Sequence, residues 1–260
     1  MESRRVAGTI FCIIAIPLLL TCTVLILLAK EAYSDDQLFL EKNYIDTHMH
    51  LDCGRIPDVD NRQAIRTRRY ELAAANLIDR MNRMGVAKSI LLPPPQIIGQ
   101  EPTVSIIDLA DGVEKFKKRL FLAEGGIVLN PLINSYLEED ITPELLEAFE
   151  KRAQDLANAG VVAFGELSVL HLSFREGHPF SEAPADHPMF LVLADVSART
   201  GIPIDIHMEA VPNRMKLPDG FDRLSSDNPS VLHPNIESFE RLLSHNRDAK
   251  IVWQHIGWDN

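Results

Sequence analysis

From residue 44 onward, apolar runs rich in β-formers alternate with stretches of helical periodicity, and that alternation admits few folds. The strand-like runs fall at 44–50, 87–94, 120–129, 161–170, 202–208 and 250–257. Helical periodicity predicts helices near 62–84, 104–118, 142–159, 187–200 and 235–248. Start and stop signals flank several of them: Thr142-Pro143 and Pro234-Asn235 at the beginnings, and Gly85, Gly160 and Gly201 just past the ends. A strand followed by a helix, repeated, calls for parallel strands joined by right-handed crossovers. The expectation is an α/β fold, either a TIM-like (β/α) barrel or a doubly wound sheet. The longest loops follow the first, second, fourth and fifth strands, the ends at which α/β barrels build their sites. No short-period repeat or low-complexity segment interrupts the pattern.

The N-terminus is of a different kind. Residues 6 to 29, VAGTIFCIIAIPLLLTCTVLILLA, run 24 residues without a charge, a length that at ~1.5 Å per residue spans ~36 Å and crosses a bilayer core. Signal peptides have shorter apolar cores and a small-x-small cleavage site, which LLAKEAYS supplies poorly. Residues 1–30 are therefore expected to be a retained transmembrane anchor or, failing that, a cleaved signal sequence or a buried helix. Arg4 and Arg5 favour a cytoplasmic N-terminus. That orientation makes this a single-pass membrane protein with residues 44–260 on the extracytoplasmic side, or, after signal cleavage, a secreted or periplasmic one. Residues 31–43 read as a tether. The formal charge of −11 repels polyanions and argues against nucleic acid as a partner. Cys12 and Cys22 sit in the apolar run and only Cys53 lies beyond it, so no disulfide framework is legible.

The ends of the predicted strands carry the chemistry. In YIDTHMHLDC (44–53), Asp46, His48, His50 and Asp52 share one parity and Ile45, Thr47, Met49 and Leu51 the other, so the two imidazoles point the same way. One histidine on a strand is commonly a hydrogen-bonded core residue; two on one face are harder to explain so. Glu166 ends the otherwise apolar VVAFGELSV, where an unpaired carboxylate is costly to bury and a cation would offset the cost. In IPIDIHME, His207 shares a face with Asp205 and Glu209. His255 ends the sixth strand in IVWQHIGW. Nitrogen and oxygen donors of this kind suit zinc, with manganese, iron or nickel as alternatives.

The ordered set of the His-x-His in DTHMHLD, the glutamate of GEL, the histidine of IHME and the histidine of WQHIGW resembles the amidohydrolase superfamily. The similarity is to its amidohydrolase-related branch, with the glutamate as in TatD-type hydrolases, and it covers roughly residues 44–260. The resemblance implies a distorted (β/α)₈ barrel and metal-assisted hydrolysis of an amide, ester, lactone or phosphoester bond of a small molecule; some members decarboxylate instead. It also implies one or two divalent metal ions. His48 and His50 would bind the more buried metal, His207 and His255 a second, and Glu166 would bridge them. With a single metal, His255 would be freed as an acid or base. Asp46 and Asp52 would orient the imidazoles or be solvated turn acids, and Glu209 would reach substrate or cap a loop.

The sequence departs from that pattern after HIGWDN. The seventh and eighth βα units and the eighth-strand aspartate have no counterpart, so the expectation is an incomplete barrel of about six of eight units with unpaired first and sixth strands, in a fragment or a catalytically inactive truncated product. Weaker signals are His171, Arg175 and His178 after the fourth strand, the proline run of LPPPQ, and a long polar loop at 211–235 holding Arg214 and Lys216, which reads as a lid or pocket wall. Trp253 and Trp258 read as core and rim packing.

Overall fold

The computed structural model describes residues 44–51, 61–97, 104, 106–176, 178 and 180–255. The expected membrane segment, the tether, Asp52, Cys53 and Trp258 lie outside these residues. None of the described helices is long and apolar enough to cross a membrane.

The chain runs β1 (Tyr44–Met49), α1 (Arg62–Met84), β2 (Val86–Leu91), α2 (Ile106–Val113), β3 (Leu120–Leu122), β4 (Glu124–Gly125), α3 (Asn130–Ile133), α4 (Pro143–Asn158), β5 (Phe164–His171), β6 (Ser181–Glu182) and α5 (Pro188–Thr200). It continues with β7 (Ile204–Met208), β8 (Met215–Lys216), α6 (Phe221–Leu224), β9 (Val231–Leu232), α7 (Ile236–His245) and β10 (Ile251–Gln254). Helix α1 ends at Gly85 and α5 at Gly201, both left-handed, and the Thr142 hydroxyl accepts from the Leu145 amide at the start of α4. The expected strand at 120–129 is shorter than its apolar run suggests. It ends at Gly125, and the following residues form a turn into α3, closed by the Leu129 amide donating to the Gly125 carbonyl.

Strands β1, β2 and β3 pair in parallel, and so do β4, β5, β7 and β10; β6 adds antiparallel to β5, and β8 with β9 forms a separate hairpin. Ala123 joins the two parallel sets. Its amide donates to Leu91, while the Val162 amide donates to Leu122 and the Glu124 amide to Ala163. The parallel strands are thus ordered as they occur in the chain, without the reversal that defines a doubly wound sheet. They also curl. On a flat sheet with ~4.8 Å between neighbours, strands five steps apart would be ~24 Å from each other, yet the rings of His48 on β1 and of His255 just past β10 are 5.6 Å apart. The sheet remains open among the described residues, because β1 pairs only with β2 and β10 only with β7.

One face of each strand meets the helices. Phe164, Leu167 and Val169 of β5 and Ile204, Ile206 and Met208 of β7 pack with Phe149, Phe190, Leu193, Phe239 and Leu242 in the main core. Tyr70, Ala74, Leu77 and Met81 of α1 pack with Leu109, Val113, Leu91 and Leu120 in a second. Burial of such side chains contributes ~1.5–3 kcal/mol each. Their strand neighbours are left facing inward, where the polar groups gather. The 211–235 loop carries the β8–β9 hairpin and α6, packed through Met215, Leu217 and Phe221 on Leu170 and Leu172.

Candidate metal centre

Four strands bring their ends to one place. From β1 and the residue after it, His48 Nε2 lies 3.4 Å from Glu166 Oε1 and His50 Nε2 lies 3.2 Å from Glu166 Oε2, so the two imidazoles of the His-x-His do converge on one carboxylate. From β7, His207 Nδ1 donates to Glu166 and its Nε2 donates to Glu209 Oε1 at 3.1 Å. His255 stacks on His207 with ring centres 3.9 Å apart, and its Nε2 is 4.0 Å from Glu166 Oε1. Its backbone is left-handed (φ 61°), a conformation that costs a residue other than glycine ~1–3 kcal/mol.

The centre has a dry floor and a wet rim. Glu166, Asp205, His207 and Glu209 are buried, whereas the side chains of His50 and His255 retain 41% and 42% exposure. A small molecule can reach the rim from solvent.

Two residues gained a role that the sequence did not make plain. Asp205 Oδ1 lies 3.3 Å from His48 Nδ1, an approach without hydrogen-bond geometry that leaves both atoms buried and unbonded, while Gln254 donates to Asp205 Oδ2. The i, i+2 parity with His207 was the available signal. His171, at the end of β5, is buried and sits with its ring 4.5 Å from His207 and 4.7 Å from His178. Asp46, by contrast, does not touch an imidazole: its carboxylate accepts from the His48 amide and so fixes backbone rather than ring. Trp253 is in the core as expected, and its indole also donates to the Met208 carbonyl.

The local electrostatics follow from crowding three carboxylates among histidines. Burial alone would lower the His207 pKa, but Glu166 and Glu209 outweigh it and raise it to about 9. Burial alone would raise the Glu166 carboxyl; bonds and charge from His207 and His50 instead hold it well below the usual carboxylate range. His50 is likewise raised, because Glu166 and the Leu92 carbonyl overcome burial. His255 is lowered, by burial and by the charge on His207. Among the described residues, no lysine or arginine pairs with Glu166, Asp205 or Glu209.

These donors fit a divalent cation. Ligands at ~2.0–2.1 Å from one tetrahedral zinc are spaced ~3.3–3.4 Å from each other; His48 Nε2 lies 3.4 Å from Glu166 Oε1, and His50 Nε2 lies 3.2 Å from the other oxygen, Oε2, so each imidazole meets its own carboxylate oxygen. His50 Nδ1 donates to the Leu92 carbonyl at 2.9 Å, which fixes the tautomer that leaves Nε2 free to coordinate. Ligand atoms of His48, Glu166 and His255 lie within 4.8 Å of one another, as do those of His207, Glu209 and His255.

A scan of the sequence against models of protein families gives no match, and a search of curated proteins gives none either.

Proposed function

We propose that this chain is a metal-dependent hydrolase of the amidohydrolase kind, with its curled parallel sheet as the larger part of a TIM-like (β/α) barrel, acting on an amide, ester, lactone or related bond of a small molecule. The observation that carries the reading is the set of three buried carboxylates and four histidines gathered from four separate strands, with no lysine or arginine among their partners in the described residues. Burying that much negative charge is costly unless cations accompany it.

His48, His50 and Glu166 would hold the first cation, with zinc the best match to the donor set and manganese, iron or nickel as alternatives; His207 and His255 would serve a second. When bound, a divalent cation lowers the pKa of a coordinated water toward ~7 and polarises a carbonyl or phosphoryl oxygen. Glu166 faces both β1 imidazoles, one with each carboxylate oxygen. Asp46 accepts from the His48 amide and so restrains the backbone of the His-x-His, while Asp205 lies beside the His48 ring. With a single cation bound, His255, exposed and with its pKa lowered by burial and by His207, would be free for proton exchange with substrate or water. The uncharged segment at 6–29 would tether this activity to a membrane, on its extracytoplasmic side.

The test is metal analysis of the purified full chain beside His48→Ala/His50→Ala, together with turnover of a panel of esters, lactones and amides. Wild type should carry zinc or manganese, and the double variant should lose the cation that His48 and His50 hold. Chelation should cut turnover at least a hundredfold, with recovery on adding metal. Unchanged metal in the double variant would refute the site. A metal-loaded wild type that turns over nothing would refute the activity, and release of carbon dioxide from a carboxylate substrate would replace hydrolase by decarboxylase.

A further inference from the structure

We propose that Glu209 is itself a metal ligand: it joins His207 and His255 in holding a second divalent cation, a role beyond substrate contact or loop capping. The inference rests on the reading of the centre given above and adds a residue to it.

Glu209 follows β7 with the inward parity of Asp205 and His207, while Ile204, Ile206 and Met208 face the helices. Its side chain is buried, 4% exposed. One carboxylate oxygen accepts from His207 Nε2, and the other, Oε2, is buried with no hydrogen-bond partner. A carboxylate oxygen left so is costly unless a cation faces it. The position is also firmly held. Asn235 donates to the Glu209 carbonyl at 2.8 Å and accepts from the Val211 amide at 2.9 Å, which clamps the backbone on the far side of the carboxylate. Ligand atoms of His207, Glu209 and His255 all lie within 4.8 Å of one another, and the ring of His255 stacks on that of His207. Two nitrogens and a carboxylate oxygen are three of the four donors that a tetrahedral site with one open position requires. Charge points the same way: Glu166 between two dications would leave a large positive excess, which the Glu209 carboxylate, together with nearby Asp205, reduces.

The experiment is cobalt(II) titration of the metal-stripped full chain, followed by visible absorption and calorimetry, for wild type, Glu209→Gln and His48→Ala/His50→Ala. Two equivalents in wild type, with the second weakened at least tenfold in Glu209→Gln and the first unchanged, is the expected result. Two equivalents of unaltered affinity in Glu209→Gln would overturn the inference and leave the proposed hydrolase standing. A single equivalent in wild type, lost in His48→Ala/His50→Ala, would do the same. No cobalt bound by folded wild type would remove both. Should Glu209→Gln fail to fold by circular dichroism, Glu209→Asp, which keeps the charge and withdraws it by one methylene, should show the same weakening; unaltered binding there would again overturn the inference.

Discussion

His207 donates through both ring nitrogens, to Glu166 and to Glu209, so in the metal-free protein it is an imidazolium with a pKa raised to about 9. A histidine raised in this way stabilises the fold fully below its ordinary value near 6.5, and that contribution disappears as pH climbs through 9. Metal-free protein should therefore melt at progressively lower temperature between pH 6.5 and 9. A cation must displace the His207 proton, so zinc affinity should rise up to ~10-fold per pH unit over the same window; calorimetry in buffers of different ionisation enthalpy would count the proton, and a flat profile would contradict the coupling. Glu124 on β4 is the opposite case. It is buried beside the amides of Gly125, Ile127 and Val128, and burial outweighs them and pushes its carboxyl up to about 7. An acid raised by that amount costs stability of ~3 kcal/mol once it ionises, so stability should fall as pH rises from 4.5 through 7. Glu124→Gln should flatten that slope in urea unfolding at a series of pH values. The two residues differ in legibility as well. His48, His50, Glu166, His207 and His255 could be read from strand parity and their position at strand ends. Glu124 in LFLAEGG offered no pattern that separates a buried acid from a loop acid, and His171 owes its place to a ring contact between two elements.

At the level of elements, the five predicted helices were legible from their apolar period, four of them with a start or stop residue as well; the predicted span of α1, 62–84, matches the observed Arg62–Met84, while α2, without such a signal, is shorter at Ile106–Val113 than the predicted 104–118. The short pieces α3, β6, β8, β9 and α6 were not, since two to four residues carry no period and owe their shape to what they pack on. The hairpin-bearing loop illustrates this: Asn228 accepts from the Ser173 amide and donates to the carbonyls of Ser173 and Phe221, so the segment is tied to the loop after β5 by one side chain. The approach of β5 to β7 depends on a single glycine. A Cβ on Gly165 would lie 2.6 Å from the Cβ of Asp205 and 3.1 Å from its carbonyl oxygen. Gly165→Ala must push β5 away beside Glu166, and we expect a loss of about 1–3 kcal/mol in stability together with weaker zinc binding. Stability lost with metal affinity intact would show that the two strands can part without disturbing the centre.

For the molecule as a whole, the sequential order of six parallel strands was readable from the alternation of strand and helix, whereas the degree of curl was not, because periodicity fixes which face is buried but not the angle between strands. The open edges have a consequence for solution behaviour. Tyr44 and Ile45 on β1 are 64% and 59% exposed, and an apolar edge strand invites pairing with another chain. Ile45→Lys should lower self-association in light scattering while leaving metal content unchanged; equal association would place the sticky surface elsewhere. The gathering of His48 and His255 at one carboxylate also bears on assembly. The chain between them is about four-fifths of the molecule, and loop closure of that length has to be completed before any reward is collected. During synthesis the nascent polypeptide would emerge with its first two imidazoles long before the last, and the proposed cation site could not mature until β10 had docked. Metal capture would then act as a late latch, reporting that the final strand has found its place and slowing its departure.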